Sequence, residues 1–261
     1  MSSFWRVAAW SGRARWGVVL AGAVALAAAG GFFAYGHRGG GGPPRAVIID
    51  QLASTDPNPA FVREATHLLE GAGYRVDYVP AKDVTVDFYR DLPLHGYRFL
   101  LLRSHSYGNR GFRDPVTGAL CALRQVGLFT TEPYTTTAHV ELQARSVVDV
   151  GLYNGAPGPT FGIAPGFVTA DMRGRFDGAT LLLMGCDGLS TPTLASAFQA
   201  RGVRRFIGWD SDVTAQHTDA ATMALLRALL VEHQSAVAAV AKVAASAGPD
   251  PVYGGRLRLF P

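Results

Sequence analysis

The sequence predicts an α/β fold built on a mostly parallel sheet with helices on both faces. Three features carry that expectation. Short runs apolar at nearly every position, at residues 46–50, 97–102 and 180–184, suit strands buried on both sides of a parallel sheet. Segments with apolar residues at helical spacing alternate with those runs, the order that a parallel sheet with crossover helices requires. Finally, 48% of residues are hydrophobic and 17% charged, without charge blocks, which is the composition of a folded domain and excludes a disordered chain.

Each element has its own local reason. Residues 46–50 (Ala-Val-Ile-Ile-Asp) form the first strand. Asn58-Pro59 starts a helix in which Phe61, Val62, Ala65, Leu68 and Leu69 share a face, and Gly71 or Gly73 ends it. A second strand covers 74–79, a short helix 84–92, and the third strand 97–102. From about 108 to 158 the chain is rich in Gly, Thr and Pro. The expectation there is an insertion of loops and a hairpin over one sheet edge, with strand-like pieces at 127–131 and 146–153. The fourth strand, 180–184, leads to a helix with Thr191 as N-cap, Pro192 at the first helical position and Leu194 and Phe198 facing the core. Gly202 closes that helix, 205–208 is the fifth strand, and helices are expected at 215–233 and 236–245. Residues 256–260 suit an edge strand. Together 46–261 reads as one domain.

The amino-terminal 44 residues have a different character. Residues 1–44 hold no acid but carry Arg6, Arg13, Arg15 and Arg38, which leaves 20 basic against 20 acidic residues in the rest of the chain. The net charge of +4 therefore belongs to the tail, and a neutral body argues against nucleic acid as the partner. Residues 17–36 form an uncharged run of about twenty, the length a membrane-crossing helix needs. Basic residues 1–16 precede it, so the positive-inside bias puts them in the cytoplasm and the body outside. Ala27-Ala-Ala also offers small residues to a signal peptidase, so secretion after cleavage is the alternative to a single-pass anchor. A Gly/Pro linker, 37–45, would join span to body. An exported body could pair Cys121 with Cys186; the sequence leaves their approach open.

Chemistry in an open parallel sheet sits beyond the carboxyl ends of its strands. The third strand runs into Arg103-Ser104-His105-Ser106 and the fourth into Gly185-Cys186-Asp187-Gly188. A thiol ahead of a helix N-terminus and beside an imidazole is a nucleophile with its base. His105 would withdraw the proton and return it to the leaving amine. Gly185 and Gly188 permit a tight turn with bare backbone N–H groups, as an oxyanion hole needs. The competing account makes Cys186 a small buried apolar residue and His105 an ordinary loop histidine. Arg103 reads as a structural partner for an acid.

Leu100-Leu-Leu-Arg-Ser-His-Ser and Leu181-Leu-Leu-Met-Gly-Cys-Asp-Gly resemble the two signatures of the caspase-like (clan CD) cysteine peptidases, whose members include separases, gingipains, metacaspases and CHAT domains. There one hydrophobic strand ends in the catalytic His and the next in the catalytic Cys. The stretch from Leu194 to Val203 and then Phe206-Ile-Gly-Trp-Asp resembles the helix and strand that follow the Cys in gingipain-like and CHAT members. The resemblance spans roughly 45–261 and implies a three-layer caspase-like fold, a peptide or protein substrate and no cofactor. His105 matches the general base and Cys186 the nucleophile, with the backbone at Ser106 or Gly185 serving the oxyanion. Ser106 stands where many members have Gly, and Asp187 puts an acid beside the thiol, which raises a thiol pKa. An inactive scaffold that binds a peptide in the same crevice is the alternative these departures suggest. Asp187, Asp210 and Asp212 lie near strand tips, where they offer an acidic pocket for a basic side chain, and Trp209 stands where it would wall that pocket. The seven histidines include no H-E-x-x-H and the chain has no C-x-x-C, so no metal is expected. No Gly-rich phosphate loop follows the first strand, so no nucleotide is expected either.

Overall fold

The computed structural model describes residues 42–108, 112–113, 120–121 and 125–261, with side chains for 42–108 and 125–261. The basic tail and the expected span at 17–36 lie outside them. Among the described residues no helix is long and apolar enough to cross a membrane.

The body opens with β1 (Arg45–Asp50), α1 (Pro59–Gly71), β2 (Arg75–Pro80), α2 (Val86–Asp91) and β3 (Tyr97–Arg103). A middle section follows: β4 (Ser106–Tyr107), β5 (Phe112–Arg113), β6 (Leu120–Cys121), β7 (Gly127–Pro133), α3 (Val140–Ala144), β8 (Val148–Gly151), β9 (Thr160–Ile163) and α4 (Pro165–Ala170). The chain then returns through β10 (Ala179–Leu183), α5 (Thr193–Ala200), β11 (Val203–Trp209), α6 (Ala215–Leu226), α7 (Ala236–Ala247) and β12 (Leu257–Phe260). The main sheet runs β12-β11-β10-β3-β1-β2, parallel except for the antiparallel edge strand β12.

Alternation along these strands sends side chains to two cores. Ala46, Ile48, Phe99, Leu101, Leu182 and Ile207 face α1, α6 and α7, meeting Phe61, Leu69, Leu225, Ala239 and Val243. Val47, Ile49, Leu100, Leu102, Leu181 and Leu183 face the other way, onto Tyr89 of α2, Phe167 of α4, Leu194 and Phe198 of α5, and Leu128, Phe161 and Ile163 of the middle section. Each such side chain removed from water contributes about 1.5–3 kcal/mol, which is why the central strands are apolar at every position. Asn58 accepts from Phe61 N–H to start α1, as its sequence signal suggests.

Three expectations need correction. The middle section is more than loops and a hairpin: β4, β7, β9 and β8 form a four-stranded antiparallel sheet in that order, and it reaches Ile163, beyond 158. The helix expected over 215–233 is regular only to Leu226, after which Arg227–Val231 forms a π-helical turn. The helix after Cys186 starts later than expected, with Pro192 rather than Thr191 in the cap position and no side-chain cap.

Candidate active site

β3 and β10 are neighbours, paired in parallel with Leu102 opposite Leu183. Met184 N–H donates to Leu102 O at 2.9 Å, so the pairing continues past the strand ends. His105 and Cys186 each lie three residues beyond that pair, and equal spacing on adjacent parallel strands brings both to the same height on the rim. Both line a cavity of about 530 Å³. Its walls come from Ser104–Gly108, from Gly185 to Asp187, from the β8 end and from residues 212–215 after β11.

The imidazole is held from three sides. Its Nε2 lies 2.9 Å from Thr55 Oγ1, and that hydroxyl also donates to Leu52 O at 3.3 Å. The ring tautomer sets which of these two groups donates in the Thr55–His105 bond. The ring stacks on Tyr153, 4.6 Å between centroids. Below it, His105 N–H donates to Gln51 Oε1 at 2.8 Å. Burial drives the His105 pKa down to about 4; Asp56 works against that shift and Arg103 with it. Near neutral pH this is an uncharged base.

Cys186 is a free thiol. Its Sγ accepts from Val213 N–H at 3.5 Å and donates to Val213 O at 3.6 Å. Burial pushes its pKa up to about 11; the Val213 N–H opposes this, and the carboxylates of Asp212 and Asp187 add to it. The expected activation by a helix N-terminus is therefore absent. A turn separates the thiol from α5, and the nearer charges are negative. The imidazole and thiol line the same cavity, but their hydrogen bonds go elsewhere, the imidazole's to Thr55 and the thiol's to Val213 and Asp212.

The two expected oxyanion positions, Ser106 and Gly185, lie on the cavity wall. Just ahead of β4, Phe129 N–H donates to His105 O at 3.1 Å, so the His105 carbonyl faces β7 while its N–H goes to Gln51. Antiparallel pairs alternate, so Ser106, opposite Leu128, turns its N–H away from β7. The Ser106 hydroxyl donates to Cys186 O and ties the two strand tips together. A side chain at Gly185 would collide with Ser104 O and Ser106 Oγ, so only glycine fits there. Asp187 lines the cavity with φ +56, a conformation an Asp tolerates better than most residues.

Two expected pocket residues are not in the pocket. Trp209 is 1% exposed and donates through Nε1 to Thr218 Oγ1 at 2.9 Å, deep beneath α6. Asp210 clasps the edge strand, accepting from Arg256 N–H at 2.7 Å and pairing with Arg258 Nε at 2.8 Å. Both face the core or β12 because β11 pairs antiparallel with β12 at this point. Asp212, by contrast, does line the cavity. Arg103 is structural as expected, though with two acids: its guanidinium is 1% exposed, forks onto Asp219 at 2.8 and 2.9 Å, reaches Asp50 at 2.9 Å and donates to Asp56 O at 2.8 Å.

Residues that sequence reasoning passed over complete the site. Thr55, Val213 and Tyr107 touch the dyad or wall the cavity, and Tyr107 OH donates to Asp149 Oδ2 at 2.6 Å. Strand-tip logic applied to β1 and β11 as it was to β3 and β10 marks 51–56 and 210–214, and so finds Thr55 and Val213. No signal marked Tyr107 or Asp149. A scan against protein-family models finds no match for the chain, and a search of the curated proteins finds none either.

Proposed function

We propose that this chain is a cysteine endopeptidase of caspase-like fold, with His105 and Cys186 as its dyad and the body held outside a membrane by residues 17–36. The observation that carries the proposal is the pair of strand ends: an imidazole and a thiol at equal height on adjacent parallel strands, opening into one cavity. Because both groups are neutral at rest, attack and proton transfer are coupled. The sulfur adds to the scissile carbonyl as the imidazole takes the thiol proton, and the oxyanion is received by the backbone N–H groups near Ser106 and Gly185. The imidazolium then gives its proton to the leaving amine and a thioester remains. Water, deprotonated by the same imidazole, hydrolyses the thioester and restores the thiol. No metal or cofactor enters this scheme.

A second proposal, a non-catalytic scaffold that holds a peptide in the same cavity, is favoured by one observation. The thiol is buried beside two carboxylates that keep it protonated. The test that separates the two is labelling by a peptide acyloxymethyl ketone. The peptidase is labelled at Cys186, and both Cys186→Ala and His105→Ala lose labelling and hydrolysis together. The scaffold binds peptide without being labelled. Hydrolysis that survives Cys186→Ala removes Cys186 from the mechanism.

A further inference from the structure

The carboxyl ends of the parallel strands hold the cavity. Their amino ends, at the opposite edge of the sheet, gather arginines. Arg98 and Arg204 are each the unmatched residue of a bulge: Tyr97 and Phe99 face Arg45 and Ala46, while Val203 and Arg205 face Ala179 and Thr180. A bulge re-aims the side chain that it leaves unpaired. Tyr97, Phe99 and Val203 beside them are buried, whereas Arg98 is half-buried and Arg204 exposed.

The turn before β10 adds to this cluster. Arg173 N–H donates to Arg90 O at 2.7 Å, Phe176 N–H to Arg201 O at 2.8 Å and Gly178 N–H to Gly202 O at 3.0 Å. The Arg98 guanidinium reaches Asp177 in the same turn. Arg98, Arg173, Arg175, Arg201 and Arg204 therefore share one surface. Three aspartates lie nearby, and each has an arginine: Asp177 with Arg98, Asp91 with Arg173 at 3.2 Å, and Asp171 with Arg145. Arg201 donates to the carbonyls of Val168, Thr169 and Gly174. Among the described residues, Arg175, Arg201 and Arg204 stand outside these ion pairs, so the surface carries surplus positive charge. Leu94 belongs to it as well: it is 60% exposed, and its Cδ2 lies 2.9 Å from where a Cβ on Gly174 would stand. A bare leucine beside guanidinium groups suits a lipid interface, which takes the apolar chain below and the charges at headgroup level.

The chain enters the body at this same end. Arg45 opens β1 and stands opposite Arg75 and Tyr97, the first residues of β2 and β3. Residues 37–44 extend at most about 28 Å, so a span at 17–36 keeps the amino ends of the strands within reach of headgroups.

We propose that Arg98, Arg173, Arg175, Arg201 and Arg204 dock the body on anionic phospholipid headgroups, with Leu94 entering the interface, so that the dyad cavity opens away from the bilayer. This rests on residues 17–36 being a membrane anchor, as proposed above. Three surplus arginines near an anionic surface favour the docked state by about a hundredfold.

The test places the full chain in nanodiscs of phosphatidylcholine alone, or of three parts phosphatidylcholine to one part phosphatidylglycerol, and follows amide hydrogen exchange by mass spectrometry. Docking predicts that peptides covering 92–96, 173–178 and 200–205 exchange about tenfold or more slowly in the anionic discs, while 185–188 is unchanged. Salt at about 1 M removes the difference, and so does the exposed pair of substitutions Arg175→Glu with Arg204→Glu. Equal exchange in the two discs, or slowing confined to the cavity end, overturns the proposal. An RNA oligonucleotide that slows the same peptides in neutral discs as strongly as phosphatidylglycerol does marks a general polyanion site and overturns it too. The anchor fails separately. Release of the chain from liposomes by alkaline carbonate removes the anchor, and the same exchange comparison on anionic against neutral vesicles then decides the docking surface by itself.

Discussion

The state of the Cys186 thiol gives the sharpest quantitative expectation. With its pKa pushed up to about 11, only about one molecule in 3,000 carries a thiolate at pH 7.5, whereas an unburied thiol ionises roughly a hundred times more often. Alkylation by iodoacetamide, followed by mass spectrometry of the peptide that contains Cys186, reads this directly. The rate should climb about tenfold per pH unit from 7 and show no plateau below about pH 10. Asp212→Asn removes one of the negative charges that hold the proton on sulfur. The curve should then move about one unit toward lower pH, which is about a tenfold gain in rate at pH 7.5. His105→Gln should leave the curve where it is, because the imidazole bonds Thr55 and the thiol bonds Val213 in the free protein. A plateau at or below pH 8 in the native protein would refute the burial argument. A curve displaced by His105→Gln would refute the separate hydrogen bonding.

Other consequences follow from the same geometry. His105 has a folded pKa of about 4 against an ordinary 6.5, so between those values the unfolded chain binds more protons than the native one. Its contribution to stability is complete above pH 6.5 and is lost as pH falls toward 4; urea midpoints at pH 7 and pH 5 should therefore differ more in the native protein than in His105→Gln. Arg103→Ala leaves Asp50 and Asp219 buried without their shared cation and should cost about 3–5 kcal/mol in urea denaturation; a loss below about 1 kcal/mol contradicts that role. Thr55→Val removes the hydroxyl that holds the His105 ring at Nε2 and should lower kcat about tenfold or more with KM little changed. Thr55→Ser restores the hydroxyl and should restore both kcat and its pH profile.

Much of the main sheet was legible because its chemistry is uniform. Ala46 to Asp50, Phe99 to Leu102 and Leu181 to Leu183 are apolar at nearly every step because both faces of those strands are covered. That single fact identifies the strands, and their carboxyl ends identify His105 and Cys186. The small sheet was hard to see for the opposite reason. β9 is four residues long, with Gly162 inside it, and β4 has only two residues. Strands that short carry no period to detect, and their pairing depends on contacts distant in sequence. Side-chain direction was illegible too. Trp209 ends β11 and Asp210 follows it, near a strand tip as His105 and Cys186 are, yet pairing with β12 and packing under α6 take both out of the cavity. Asp212, two residues further on, is past the strand and free to turn in. The activation state of the thiol could not be read either, since it follows from burial and from Asp212, whose approach only the folded chain creates.

The most direct test of the dyad is cleavage of a mixed peptide library by the full-length protein and by its Cys186→Ala variant, with products identified by mass spectrometry. New termini that appear with the native protein and vanish with the variant are the result predicted here. Identical products from both proteins, or none from either, would contradict a peptidase built on His105 and Cys186.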